Sequence, residues 1–201
     1  ELFDLTGKTA LVTGGRGLYG ASISRGLCEA GATVVIASRN GQKCEAYAET
    51  LRAAGYSACG IALDLASDES IQAAVKETAE RCGRIDILVN NAVDRSNLAS
   101  FEQVTRAQLQ ASADTNLSGQ PLLAQAVLPY MKRQQGGSIV NISSMRGLDC
   151  PHFPFYQGAM ANQPVNYTTE KWALEGLTKY MAGYCGQFQV RVNSIAPGGF
   201  N

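Results

Sequence analysis

Histidine is almost absent from this chain. Of 201 residues only His152 is one, and no cluster of acidic or cysteine ligands surrounds it, so no metal site is expected. Six cysteines (Cys28, Cys44, Cys59, Cys82, Cys150, Cys185) are scattered with no Cys-x-x-Cys pair. There is no basic stretch followed by an apolar run at the N-terminus, hence no expected secretory signal. The thiols therefore read as reduced and the protein as cytoplasmic, without a disulfide frame. Net charge is also missing: 17 Lys and Arg balance 17 Asp and Glu, so nothing draws the chain to nucleic acid or an anionic membrane. No apolar run nears the roughly 18 residues of a membrane span. Repeats and low-complexity linkers are absent too.

What is present is a sequence of 45% hydrophobic residues, ample for a core, at a length natural for one domain, taken as 1–201. Strand-like runs at 9–13, 33–37, 58–63, 85–90, 138–142 and 190–195 alternate with helix-like stretches near 21–30, 41–54, 68–82, 101–134 and 166–186. Such alternation predicts an α/β fold: a doubly wound parallel sheet of the Rossmann type, three layers deep, with right-handed crossovers. Ligands of these sheets bind beyond the carboxyl ends of the strands. Gly14, Ser38 with Arg39, Asp64, Asn91, Ser143 with Ser144, and Pro197 with Gly198 all fall at those ends.

The first such end reads Thr13-Gly-Gly-Arg-Gly-Leu-Tyr-Gly20, between a buried-strand pattern and a helical one. Strand, glycine turn, helix is the setting in which a backbone approaches a pyrophosphate and a helix N-terminus receives it. The bland reading is a tight turn with no ligand. Further on, Tyr167 and Lys171 stand four apart in a helical stretch, on one face. A cation held beside a phenol favours its ionised form, so a tyrosine so placed can exchange a proton with a substrate oxygen near neutral pH. Alone, that pair would be a solvated helix face.

Taken in order, Thr13-Gly14 with Gly17 and Gly20, Asp64-Leu65, Asn90-Asn-Ala92, Asn116, Asn141-Ile-Ser-Ser144, Tyr167-x-x-x-Lys171 and Arg191-Val-Asn-Ser-Ile-Ala-Pro-Gly198 resemble the short-chain dehydrogenase/reductase family along the whole chain. The opening stretch looks like gluconate 5-dehydrogenase-type members, and the region 143–171 like flagellin-modification-type oxidoreductases. The resemblance implies hydride transfer between a nicotinamide cofactor and a carbonyl/alcohol pair. It implies Tyr167 as proton donor and acceptor, Lys171 as the residue that tunes it and holds the nicotinamide ribose, and Ser144, ahead of Ser143, as the bond to the substrate oxygen. Asn116 would position a relay water. Gly14, Gly17, Leu18 and Tyr19 would line the phosphates, Asp64 and Leu65 the adenine, Asn91 the adenosine ribose, and Pro197 and Gly198 the nicotinamide; Arg16 could form a second wall around a 2′-phosphate or be plain surface charge. Asn116 could instead bend a helix, and Asp64 could merely cap one.

Three departures from the family pattern stand out. Position 18 is Leu where glycine is usual, a spacing like that of sugar-nucleotide epimerases and dehydratases, which keeps that class as an alternative. A nucleotide-sensing or scaffold protein is the other alternative. The stretch from Ser144 to Tyr167 is longer than usual, and its residues 149–164, Met160 among them, are expected to loop beside the site and shape the pocket, where Tyr156, His152 and Gln163, with Asn97 from elsewhere, offer polar contacts suiting a hydroxylated, sugar-like substrate. The chain also stops after the sixth strand, short of the family's usual length. At the end of the second strand Ala37-Ser38-Arg39-Asn40 offers no carboxylate against a 2′-phosphate, and Arg39 and Ser38 could bind one, so NADP(H) is favoured over NAD(H). Apolar residues on more than one side of the helices (Leu122, Leu123, Val127, Leu128, Trp172, Leu174, Leu177, Met181) suggest a homodimer or homotetramer.

Overall fold

A computed structural model describes residues 2–155 and 163–199. Tyr156 and Met160 lie outside the described residues. Six parallel strands form one sheet in the order β3-β2-β1-β4-β5-β6: β1 Thr9–Thr13, β2 Thr33–Ser38, β3 Ala58–Ala62, β4 Ile87–Asn90, β5 Gly137–Ile142 and β6 Val190–Ile195. The chain leaves β1 toward β2 on one side and returns to β4 on the other. The switch point between β1 and β4 opens the crevice in which such sheets bind ligands.

Alternation along β1 builds both layers. Leu11 joins a core with Ile71 and Val75 of α3 (Asp68–Cys82), Leu123 and Val127 of α5 (Gly119–Arg133) and Met181 of α6 (Val165–Cys185). Ala10 and Val12 point the other way, into a core with Cys28 of α1 (Leu18–Glu29) and Cys44 and Leu51 of α2 (Gly41–Ala53). Period-two geometry on a central strand thus gives the three-layer sandwich expected from the sequence.

Helix starts follow local chemistry. Asn40 accepts from Lys43 N at the head of α2, and Ser67 accepts from Ser70 N at the head of α3. Asp64 is therefore not a helix cap; its Oδ1 closes a short turn by accepting from Ala66 N at 3.0 Å. The expected single helix over 101–134 is corrected in two ways. A reciprocal bond between Thr105 and Gln108 sets the start of α4 (Arg106–Ala113). A π-turn over Asp114–Ser118 then separates α4 from α5.

A buried polar chain ties α6 to the sheet. Asn90 Nδ2 donates to Asn141 Oδ1 at 2.9 Å, Asn141 Nδ2 to Thr178 Oγ1 at 2.8 Å, and Thr178 Oγ1 to the Leu174 carbonyl at 2.7 Å. No helix among the described residues is long and apolar enough to cross a membrane.

Candidate active site

The ends of β1 and β4 are stitched together before any ligand is considered. Thr13 Oγ1 donates to the Val89 carbonyl at 3.3 Å and accepts from the amides of Asn91 and Ala92, each at 3.0 Å. Asn91 Nδ2 donates to the carbonyls of Thr13 and Gly14 at 2.9 and 3.1 Å. Its side-chain amide thus clamps the glycine turn. Gly14 has φ +63°, and a Cβ at Gly20 would sit 2.0 Å from the Gly14 carbonyl oxygen. The turn therefore packs directly against the head of α1, which has neither a side-chain cap nor an acidic residue in its first turn. A helix head with no side-chain cap beneath a glycine turn fits a nucleotide's phosphates.

Beside that cradle lies a cavity of about 340 Å³ lined by Gly14, Gly17, Leu18, Tyr19, Ser38, Arg39, Asp64, Leu65 and Asn91, nine of the residues expected to hold a cofactor. Arg16 is exposed and does not line it. A second cavity, about 210 Å³, shares Leu18, Tyr19 and Asn91 with the first and adds Ser144, Tyr167, Lys171, Pro197 and Gly198. A third, about 280 Å³, shares Ser144, Tyr167 and Gly198 with the second and opens toward Leu98, Met145, Arg146 and Gln163. Together they form one trough along the carboxyl edge of the sheet. Tyr19 Oη reaches across it to donate to the Gly198 carbonyl at 3.3 Å. His152 and Asn97 line none of the three, while Gln163 does.

Tyr167 and Lys171 share one face of α6, and Lys171 Nζ lies 5.7 Å from the Tyr167 ring centroid. That ammonium is buried and donates to the Ile142 carbonyl at 2.7 Å. Burial lowers its pKa from 10.5 to about 8; Glu170 opposes that shift, Arg95 reinforces it and Glu175 opposes it. Ser144 Oγ accepts from Arg146 N at 3.2 Å at the head of a short turn. Ser143 also borders the second cavity, but its Oγ is buried with no hydrogen-bond partner among the described residues and is not on the third.

Asn116 lines none of these cavities; it stands behind them. Its Oδ1 accepts from Asp94 N at 2.7 Å, and its Nδ2 donates to the Asp94 carbonyl, Ser112 Oγ and Glu170 Oε2. The side chain is fully committed, so any hold on a water would fall to the main-chain carbonyl.

Two residues that carry no periodic signal complete the trough. Asp94 places its Oδ2 3.8 Å from Arg39 Nη1, so a carboxylate does stand near the second strand's end, delivered by the loop after β4. Its carboxyl is held below the usual range chiefly by the Ser96 amide. Arg95 sets its guanidinium 5.7 Å from the Tyr167 ring centroid. The signal available for both was position alone, just after Asn90-Asn-Ala92.

Comparison with known proteins agrees with this architecture. A family model described as short chain dehydrogenase matches residues 8–201. The chain is 37% identical over 196 residues to a 3-oxoacyl-(acyl-carrier-protein) reductase, FabG, of Aquifex aeolicus, covering 96% of this chain and 74% of that protein. It is 35% identical over 195 residues to a D-threitol dehydrogenase of Mycolicibacterium smegmatis, covering 97% of this chain and 71% of that one. A crystal structure of a gluconate 5-dehydrogenase from Burkholderia cenocepacia in complex with NADP and tartrate superposes with a TM-score of 0.87 at 34% identity, over 99% of this chain and 74% of its own. The chain belongs to the short-chain dehydrogenase family.

Proposed function

We propose that this protein interconverts a carbonyl and an alcohol with a nicotinamide cofactor, and that Tyr167, Ser144 and Lys171 carry the chemistry. The observation that supports this most is their convergence from β5's end and α6 onto one cavity that continues into the glycine cradle. Bound nicotinamide supplies or accepts the hydride. Ser144 Oγ donates to the substrate oxygen and polarises it. The Tyr167 hydroxyl gives or takes the proton on that oxygen. Lys171, anchored on the Ile142 carbonyl, keeps a positive charge beside the ring and reaches the cofactor ribose. The Asn116 carbonyl holds a water that passes the proton to solvent.

NADP(H) is the favoured cofactor. Arg39 and Ser38 line the cavity at the end of β2, and the gluconate 5-dehydrogenase neighbour was crystallised with NADP. Asp94 tempers this, since its carboxylate competes for Arg39. The substrate is a hydroxylated, sugar-like compound, in keeping with the names of the threitol and gluconate relatives. The protein works as a homodimer or homotetramer in the cytoplasm. The dimer forms through α5 and α6, where Tyr180 borders a groove of about 420 Å³ between the helices and Trp172 is half exposed on α6. Titration with NADPH and NADH by fluorescence, followed by absorbance assays against a panel of carbonyl and polyol substrates, tests the reading. Tight NADPH binding with turnover supports it; no binding of either nucleotide defeats it.

A further inference from the structure

The loop after β4 carries a carboxylate into the cofactor crevice. Asp94 lines the same cavity as Gly14, Ser38 and Arg39, although its loop and that of Arg39 follow strands on opposite sides of β1. The two side chains therefore face each other across the end of β1, Oδ2 to Nη1 at 3.8 Å. They differ in how firmly they are held. Asn116, itself buried, grips both main-chain polar groups of Asp94: its Oδ1 accepts from the Asp94 amide at 2.7 Å and its Nδ2 donates to the Asp94 carbonyl at 2.9 Å. Oδ1 of Asp94 accepts from the Ser96 amide and hydroxyl at 3.0 and 2.8 Å. The Asp94 side chain is 14% exposed and that of Arg39 71%. The pair is longer than a charge-assisted hydrogen bond and its cation is solvated, so it holds Arg39 only weakly. Arg39 is free to turn toward a guest, while the Asp94 carboxylate stays where it is.

In sheets of this kind the acid that binds the adenosine ribose follows the second strand. Here Ser38 and Arg39 occupy that place, and the carboxylate beside them comes from the loop after β4 instead. A carboxylate accepts strongly from a hydroxyl and repels a phosphate, whereas a guanidinium binds a phosphate through its planar fork. We propose that Asp94 is the cofactor-discriminating acid of this protein: its fixed carboxylate accepts from the 2′-hydroxyl of NAD(H) and opposes the 2′-phosphate of NADP(H), which Arg39 and Ser38 attract. Opposite signs facing one position leave NADP(H) ahead by a narrow margin, and both cofactors bind. Because the acid is pinned and the base is loose, the adjustment between cofactors falls to Arg39, turned to the phosphate for one and back to Asp94 for the other. The proposal rests on the nicotinamide reading of this same site and adds the residue that limits its choice of cofactor.

The test uses two pairs of ligands that differ only in the 2′-phosphate: NADPH against NADH, and adenosine 2′,5′-bisphosphate against adenosine 5′-monophosphate. Each is titrated calorimetrically into the wild type, Asp94→Asn and Asp94→Glu. Asp94→Asn keeps an oxygen for the Ser96 donors and removes the charge. It should tighten NADPH about tenfold and weaken NADH about three- to tenfold, and the bisphosphate and monophosphate should follow with the same signs. Asp94→Glu, which keeps the charge, should leave NADPH within about threefold of the wild type. A merely structural Asp94 moves every ligand in one direction; that result, or a ratio of NADPH to NADH affinity that does not change in Asp94→Asn, overturns the proposal. An Asp94→Glu protein that gains NADPH affinity as the asparagine does also overturns it, because the charge is then not the cause. If neither nicotinamide cofactor binds while the adenosine pair still shows the shift, the hydride-transfer reading falls and the role of Asp94 stands. A wild type that binds none of the four ligands defeats both.

Discussion

Asn116 and Glu170 stand 54 positions apart, yet Asn116 Nδ2 donates to Glu170 Oε2 at 2.9 Å inside the protein. The bond joins the π-turn to the helix that bears Tyr167 and Lys171. It also sets a buried carboxylate next to a buried ammonium in sequence. Burial lowers the Lys171 pKa to about 8, and the charge of Glu170 is the largest influence holding it up. The other charged groups facing Lys171 are Glu175 on its own helix and Arg95 from the loop after β4.

Glu170→Gln keeps an acceptor for Asn116 and removes only the charge. Lys171 should then lose its proton at lower pH, and the alkaline limb of kcat/KM should move in the same direction. A pH–rate profile superimposable on that of the wild type would show that Glu170 serves packing alone.

Lys171→Met isolates a linkage. The folded lysine titrates near 8 against 10.5 for an ordinary one, so the unfolded chain binds more protons between those values. Stability from this group therefore rises as pH climbs through that window. Relative to the Met variant, the wild type should gain stability from neutral to strongly alkaline pH, by at most about 3 kcal/mol. Denaturant midpoints of both proteins at several pH values measure it; a gap that stays constant with pH contradicts the buried charge. The same variant should lose most of its turnover.

Tyr167→Phe removes the proton donor and little else. Turnover should fall by about 10²–10⁴-fold with NADPH affinity almost unchanged. A variant that keeps more than half its rate removes Tyr167 from the mechanism.

Arg39→Asp puts two carboxylates, the new one and Asp94, at the place proposed for the 2′-phosphate. The ratio of NADP(H) to NAD(H) affinity should invert. Equilibrium titrations with both cofactors decide, and an unaltered ratio means that Arg39 does not read the phosphate.

Sedimentation of the protein at micromolar concentration tests the α5–α6 surface. Leu123, Val127, Leu174 and Met181 are buried in the protomer's own core, so Trp172, Tyr180 and the half-exposed Leu122 must carry the contact. A dimer that dissociates on Trp172→Glu is the expected result. A clean monomer before any substitution excludes it.

The strands and most helices could be read from sequence because period-two and 3.6-residue patterns leave a local trace, as Leu11 against Ala10 and Val12 illustrates. Tyr167, Lys171 and Ser144 were legible because helical spacing and strand ends fixed their places. The head of α4 was within reach too, since Thr105 and Gln108 form a recognisable capping pair. The π-turn was not, because the Asn116 side chain beside it is gripped by Asp94 and Glu170, partners distant in sequence. Asp94 and Arg95 escaped notice for a related reason: a loop has no period, and only the fold brings Asp94 up to Arg39 and Arg95 over Tyr167.

The chain of bonds from Asn90 through Asn141 and Thr178 to the Leu174 carbonyl acts as a detent for α6. Sliding that helix by one residue, about 1.5 Å, would strand a buried amide at about 1–3 kcal/mol. Apolar contacts tolerate gradual slippage; this latch has only one seated position. The height of Tyr167 above the sheet is therefore indexed by polar groups, while the surrounding apolar residues supply adhesion. Changes of volume at Leu174 or Met181 then loosen the protein without misaligning its tyrosine, and damage to stability and damage to chemistry fall on different residues of the same helix.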